Sequence, residues 1–165
     1  MSASIGGTTP AQTVGPYFSL GLAERPFCTP PTSPSIRLKG CVLDATGTPV
    51  PDAMLEVWMP GDGPKGFFRV TVAADGRFDF ACWDGTDDTR PVRIQVMARG
   101  VLETLTTVVW RAEAVPAPDS SQWLGIPHAR RHTVIARRAG DDYAWDIRLS
   151  GGEDAGETVF LDPAD

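Results

Sequence analysis

Histidine and tyrosine are scarce in this chain of 165 residues, with two of each, and cysteine occurs three times. Any metal centre or nucleophile must therefore draw on a handful of positions. Cys28, Cys41 and Cys82 are odd in number, widely spaced and form no C-x-x-C pair. That excludes a zinc knuckle or a redox dithiol and leaves them as small hydrophobes in a reducing compartment. No apolar run approaches the roughly 20 residues of a membrane span. The first ten residues have neither the charged nor the apolar region of a secretory leader. G-x-G-x-x-G, P-loop and G-x-S-x-G motifs are absent, as is any internal repeat. Fifteen Lys and Arg against 21 Asp and Glu leave a net charge of −6, which argues against a nucleic-acid surface. The expectation is a soluble cytoplasmic protein with no nucleic-acid or membrane partner.

Glycine (17) and proline (15) are abundant instead, the mark of many turns and short strands. Residues 1–35 are rich in Pro, Thr and Ser and read as an extended N-terminal arm. Residues 36–165 read as one domain. Strands are expected at Ile36–Asp44, Ala53–Trp58, Phe67–Val72, Arg77–Phe80, Val92–Met97, Leu102–Trp110, His132–Arg137, Tyr143–Leu149 and Thr158–Leu161. Ala73–Gly76 reads as a hairpin turn, and Arg99-Gly100 and Ala139–Asp142 as two further turns. Between residues 111 and 128 the prolines Pro116, Pro118 and Pro127 leave room for a helical turn at most. Eight or nine short strands with turns every 8–12 residues predict an all-β fold, an antiparallel β-sandwich.

Several segments, taken in order, resemble one family. Thr9-Pro-Ala-Gln-Thr-Val-Gly-Pro-Tyr-Phe18 is similar to the N-terminal arm of the intradiol ring-cleavage dioxygenases, and Leu55-Glu-Val-Trp58 to one of their strands. Ala98-Arg-Gly100, Arg130–Arg138, Trp145–Leu149 and Gly156–Phe160 resemble the α chains of the family's two-chain, protocatechuate-cleaving members. The likeness runs from about residue 8 to residue 162. It implies an αβ hetero-oligomer in which the β chain holds one non-haem Fe(III), and the pair cleaves protocatechuate with O2 in aromatic catabolism. The chain is short for that family, with losses expected after Trp58, after Phe80 and near residues 22–35.

In the family the iron is held by two tyrosinates and two histidines, the latter as H-x-H on a strand. Hard phenolates suit Fe(III). Here the corresponding strand reads Pro91-Val-Arg-Ile-Gln-Val96, and the segment that carries tyrosines elsewhere reads Gly61–Phe68 with none. His128 and His132 stand at i and i+4, a metal-pair spacing on an α-helix, but Pro127 precedes them and His132 opens a β-branched run. Tyr143 reads as core or interface packing. The chain is therefore expected to hold no iron, to contribute no catalytic residue or metal ligand, and to depend on a β subunit.

What the resemblance implies for this chain is substrate binding. Thr13, Gly15, Pro16 and Tyr17 match the arm that reaches the mouth of the partner's iron site, Gly-Pro as a rigid close-approach backbone and Tyr17 as a ring with a hydroxyl. The alternative is that Tyr17 only anchors the arm. Arg99 matches an α-chain arginine at the entrance, where a guanidinium would attract a benzoate; otherwise it is a surface arginine at a hairpin tip. Trp58 and Trp145 are expected in the core, while Trp123 reads equally as an exposed partner anchor or as packing. The competing function is a non-enzymatic binding module on the same scaffold.

Overall fold

The computed structural model describes residues 36–59, 66–83, 90–101, 103–114, 121–152 and 156–161, with 22 and 154. Nine strands are found among them: β1 (Ile36–Leu43), β2 (Met54–Trp58), β3 (Phe67–Thr71), β4 (Arg77–Trp83), β5 (Val92–Met97), β6 (Leu105–Arg111), β7 (Ile135–Ala139), β8 (Asp142–Ala144) and β9 (Ile147–Arg148). They run in the order β3-β2-β5-β6-β7-β8-β1-β4, with β9 also on β1. The all-β sandwich is thus observed. Most pairings are antiparallel, and β1–β8, β1–β9 and β6–β7 are parallel.

The sheet doubles over at β6–β7, which share only the pairs Trp110–Ile135 and Arg111–Ala136. This sets β3-β2-β5-β6 against β7-β8-β1-β4. Period-two alternation supplies the filling: Leu55, Val57, Phe68, Ile94 and Val96 from one half meet Leu38, Val42, Phe78 and Phe80 from the other in a single buried cluster. Phe68 stands edge-on to Phe80 across it, ring centroids 5.6 Å apart.

The expected hairpin over Ala73–Gly76 is corrected. The turn is tight, with Ala73 N–H on the Arg77 carbonyl at 2.8 Å and Gly76 at φ 79°. Yet β3 pairs with β2 and β4 with β1, so the strands part into opposite halves. Phe68 and Phe80 can face each other only in that arrangement. The turns at Arg99-Gly100 and Ala139–Asp142 do join paired strands, β5–β6 and β7–β8.

Three further boundaries differ. The strand expected from His132 begins at Ile135, because a 3-10 helix, His128–Val134, follows Pro127. Arg130 N–H bonds the Pro127 carbonyl at 2.9 Å, and Thr133 Oγ1 donates back to the Arg130 carbonyl at 2.8 Å, holding the chain coiled. Tyr143–Leu149 is split into β8 and β9, since the Asp146 carboxylate, not a backbone carbonyl, takes the Cys41 N–H at 2.9 Å. Of the last expected strand only a bridge remains, Leu161 N–H to the Thr106 carbonyl at 2.7 Å.

The outer face of β6 carries a second cluster: Val108 and Trp110 are covered by Trp123, Ile126, Val134 and Val159. Trp123 lies on the short helix α1 (Ser121–Leu124) and packs edge-on to Trp110 at 5.4 Å. Arg131 sits 4.7 Å from the Trp123 ring centroid and donates to the Trp123 and Ile126 carbonyls. Trp123 is therefore buried packing, not an exposed anchor. Trp145 is buried as expected, while Trp58 is half-buried on the outer face.

Candidate functional site

The strand Val92–Met97, expected from the resemblance to correspond to an iron-bearing strand, presents its polar side chains on the outer face of β2, β3 and β5. Inward-pointing Val92, Ile94 and Val96 force Arg93 and Gln95 outward. Arg93 pairs in register with Trp58, and Gln95 with Glu56. Across the next pairing Glu56 meets Arg69, and Trp58 meets Phe67. Arg69 Nε donates to Glu56 Oε1 at 2.7 Å, with Nη2 at 2.6 Å from the same oxygen. Their side chains are only 16% and 13% exposed, so the ion pair is largely desolvated. The Arg69 guanidinium lies 5.3 Å from the Phe67 ring centroid, Trp58 stands 5.0 Å from Phe67, and Gln95 Nε2 donates to Thr106 Oγ1 at 3.3 Å. This face offers an amide, two guanidiniums and a carboxylate already held by arginine. None is the imidazole or phenolate that a ferric centre of this kind uses, so these residues do not fit the iron. The Glu56–Arg69 pair was missed in the sequence; its signal was a charge at facing positions of two otherwise apolar strands.

Among the described residues no group of three His, Cys, Asp or Glu is placed to hold a metal ion. His128 and His132 are both exposed on the 3-10 helix. With three residues per turn, positions i and i+4 fall about 120° apart rather than on one face. His132 Nδ1 is also engaged with the Ala129 carbonyl at 2.9 Å. Tyr143 is buried, edge-on to Trp83, and its hydroxyl donates to Glu113. Burial pushes the Cys82 thiol well up, and burial followed by the Asp146 charge raises Cys41, so neither thiol is an activated nucleophile.

Arg99 sits where β5 turns into β6, with Gly100 at φ 85° completing the turn. Its Nη2 donates to Asp52 Oδ2 at 2.6 Å, and the two side chains are 61% and 53% exposed. Asp52 is itself held at φ 62°, a left-handed conformation that Asp tolerates better than most residues. The Arg99 guanidinium is thus solvent-exposed and carries a local counter-charge. Thr13, Gly15, Pro16 and Tyr17, and with them the whole arm, lie outside the described residues. So does Cys28.

No family model matches the chain. It is 29% identical to the protocatechuate 3,4-dioxygenase alpha chain of Burkholderia cepacia over 193 aligned positions, covering 93% of this chain and 96% of that one. It is also 29% identical to the corresponding alpha chain of Pseudomonas putida, with the same shares covered. The chain is thus similar to the intradiol ring-cleavage dioxygenases. The fold agrees with that similarity. The dioxygenase domain of a carbohydrate-binding fusion protein from Streptomyces sp. SirexAA-E superposes with a TM-score of 0.51 at 23% identity, over 87% of this chain and 99% of that domain. Because 193 aligned positions exceed the chain's 165 residues, the Burkholderia protein carries stretches this chain lacks. No helix among the described residues is long and apolar enough to cross a membrane.

Proposed function

We propose that this chain is the alpha subunit of a protocatechuate 3,4-dioxygenase. In this reading it holds no iron and completes the substrate pocket of an Fe(III)-bearing beta subunit. The pair cleaves protocatechuate with O2 between its hydroxylated carbons to 3-carboxy-cis,cis-muconate, a step of the β-ketoadipate route. The observation that carries the reading is the full-length likeness to two curated alpha chains. The outward side chains of β5 support it, since Arg93 and Gln95 replace the donors that an iron-bearing strand needs. The non-haem ferric ion, when bound in the partner, would activate the catecholate ring toward O2.

This chain's share is binding and orientation. The arm of residues 1–35, through Thr13, Gly15, Pro16 and Tyr17, lines the mouth of the partner's site, and residues 36–165 form the sandwich that positions it. Arg99 draws in the substrate carboxylate, competing with Asp52 for its guanidinium. Co-expression with its genomic neighbour tests the reading. Iron content and protocatechuate-dependent O2 uptake are expected only in the co-purified pair. An inert, iron-free monomer that ignores the neighbour would favour the binding module instead. In the active pair, Arg99→Ala is expected to raise KM for protocatechuate roughly threefold to tenfold with unchanged iron content. An unchanged KM would remove Arg99 from the site.

A further inference from the structure

Away from the β5–β6 turn, one open cleft gathers positive charge. It encloses about 450 Å³, the size of a small-ligand site. It lies where the 3-10 helix His128–Val134, β7 and the β8–β9 segment meet, and its wall includes Leu43, His132, Ile135, Arg137, Arg148 and Thr158. The two arginines play different parts. Arg148 is fixed: its Nη1 donates to the Asp44 carbonyl at 3.2 Å, and its backbone N–H to Thr158 Oγ1 at 2.9 Å. Arg137 is exposed, and its guanidinium makes no ion pair or hydrogen bond among the described residues.

The cleft's own acid is already engaged, because Asp146 Oδ1 accepts the Cys41 N–H at 2.9 Å. Glu157, between two wall positions, instead accepts the Gly152 N–H at 2.7 Å and lies 3.9 Å from Arg130. In a chain of net charge −6, two arginines and one carboxylate therefore line this concave site, which leaves it with an excess of positive charge. Leu43 and Ile135, both half-buried, supply apolar wall beside them.

We propose that this cleft binds a small organic carboxylate, the acid on Arg137 and Arg148 and its hydrocarbon body against Leu43 and Ile135. The Arg137 guanidinium, with no partner among the described residues, can offer a carboxylate its own two-pronged N–H fork while Arg148 adds charge beside it, and the apolar wall favours an aromatic or aliphatic acid over a bare inorganic anion. The assignment is independent of the alpha-subunit reading and of Arg99.

The test is a titration of the full chain with benzoate, and separately with inorganic phosphate, followed by backbone amide NMR. Benzoate is expected to give saturable shifts at Ile135–Arg137, Ala144–Arg148 and Gly156–Thr158. Arg137→Gln, which breaks no ion pair or side-chain hydrogen bond among the described residues, is expected to weaken benzoate binding by roughly tenfold. Arg138→Gln removes the same charge from the next residue, outside the cleft wall, and is expected to change binding by less than about twofold. Equal effects of the two variants would mean that benzoate reads only net charge. That result, shifts scattered elsewhere, no saturation, or phosphate binding as tightly as benzoate would each overturn the assignment.

Discussion

Along β5 the main core takes Val92, Ile94 and Val96 and leaves Arg93 in water; along β6, Thr106 through Arg111 are all buried. The first strand has one wet face, so its sequence alternates. The second is covered on both, by the opposite half-sheet and by the segment that carries Trp123, Ile126 and Val134. Alternation records the presence of solvent on one side, and a doubly buried strand has none to record. The two clusters also differ in how they are secured. The main core rests on sheet pairing and aromatic contacts. The second is clamped by side chains on carbonyls: Arg131 on Trp123 and Ile126, and Trp145 Nε1 on Thr133 at 2.8 Å.

The largest expected effect breaks the main core. A Cβ added at Gly40 would meet the Trp145 carbonyl oxygen at 1.7 Å and the Phe78 ring at 2.7 Å. The first is backbone, tied to β1 by the Trp145 N–H on the Lys39 carbonyl at 2.9 Å, and cannot step aside. Gly40→Ala should cost more than about 4 kcal/mol, beyond ordinary overpacking, and urea denaturation should find little folded protein. Next comes the second cluster. Trp123→Ala empties its centre and should cost about 3 kcal/mol. Hydrogen exchange should then quicken between residues 121 and 134 while β1 and β4 keep their protection. Loss of protection throughout would show that the two clusters form one cooperative unit.

A smaller effect belongs to the surface of the main sandwich. The hydrogen bond from Lys39 and the Arg37 backbone N–H hold the Asp142 carboxyl below its usual range. A depressed carboxylate stabilises the fold above its unfolded pKa, near 3.9, and that contribution fades as pH falls through the lower folded value. The stability gap between wild type and Asp142→Asn should therefore be full at neutral pH and shrink below about pH 4; a constant gap across acid melts would contradict it. The smallest effect lies at the Arg99 turn. Asp52 and Arg99 form a solvent-exposed pair, and Asn tolerates the left-handed backbone at Asp52. Asp52→Asn should shift unfolding by no more than about 0.5 kcal/mol, read from a thermal melt.

Legibility followed the same division. The strands from Ile36 to Met97 were readable because each has a wet face and turn residues at its ends. The 3-10 helix over His128–Val134 was not, since its Thr-Val-Ile run has the composition of a strand. What held it coiled was Pro127 and the Thr133 hydroxyl, aided by a tryptophan bond from Trp145. Of the candidate site, the missing imidazoles and phenolates on β5 were plain from residue identities, because chemistry absent from a side chain cannot be restored by folding. The counter-charge on Arg99 was hidden, since Asp52 lies 47 residues away in sequence. The cleft was hidden for another reason: its two arginines stand on β7 and β9, and they line one concavity only because β7 joins β8 while β8 and β9 both join β1.

By itself, the sequence determined the all-β class, the side of each half-wet strand that goes inward, the similarity to the dioxygenases, and the absence of imidazole and phenolate side chains from β5. These follow from local period and residue chemistry, which do not depend on the partner across the sheet. Only the tertiary structure decided that β3 and β4 separate into opposite halves, that Trp123 is buried beneath Arg131, and that Arg137 and Arg148 share one concavity. Each of those depends on contacts between distant segments, where long-range packing outweighs the local preference of a turn or a lone aromatic residue.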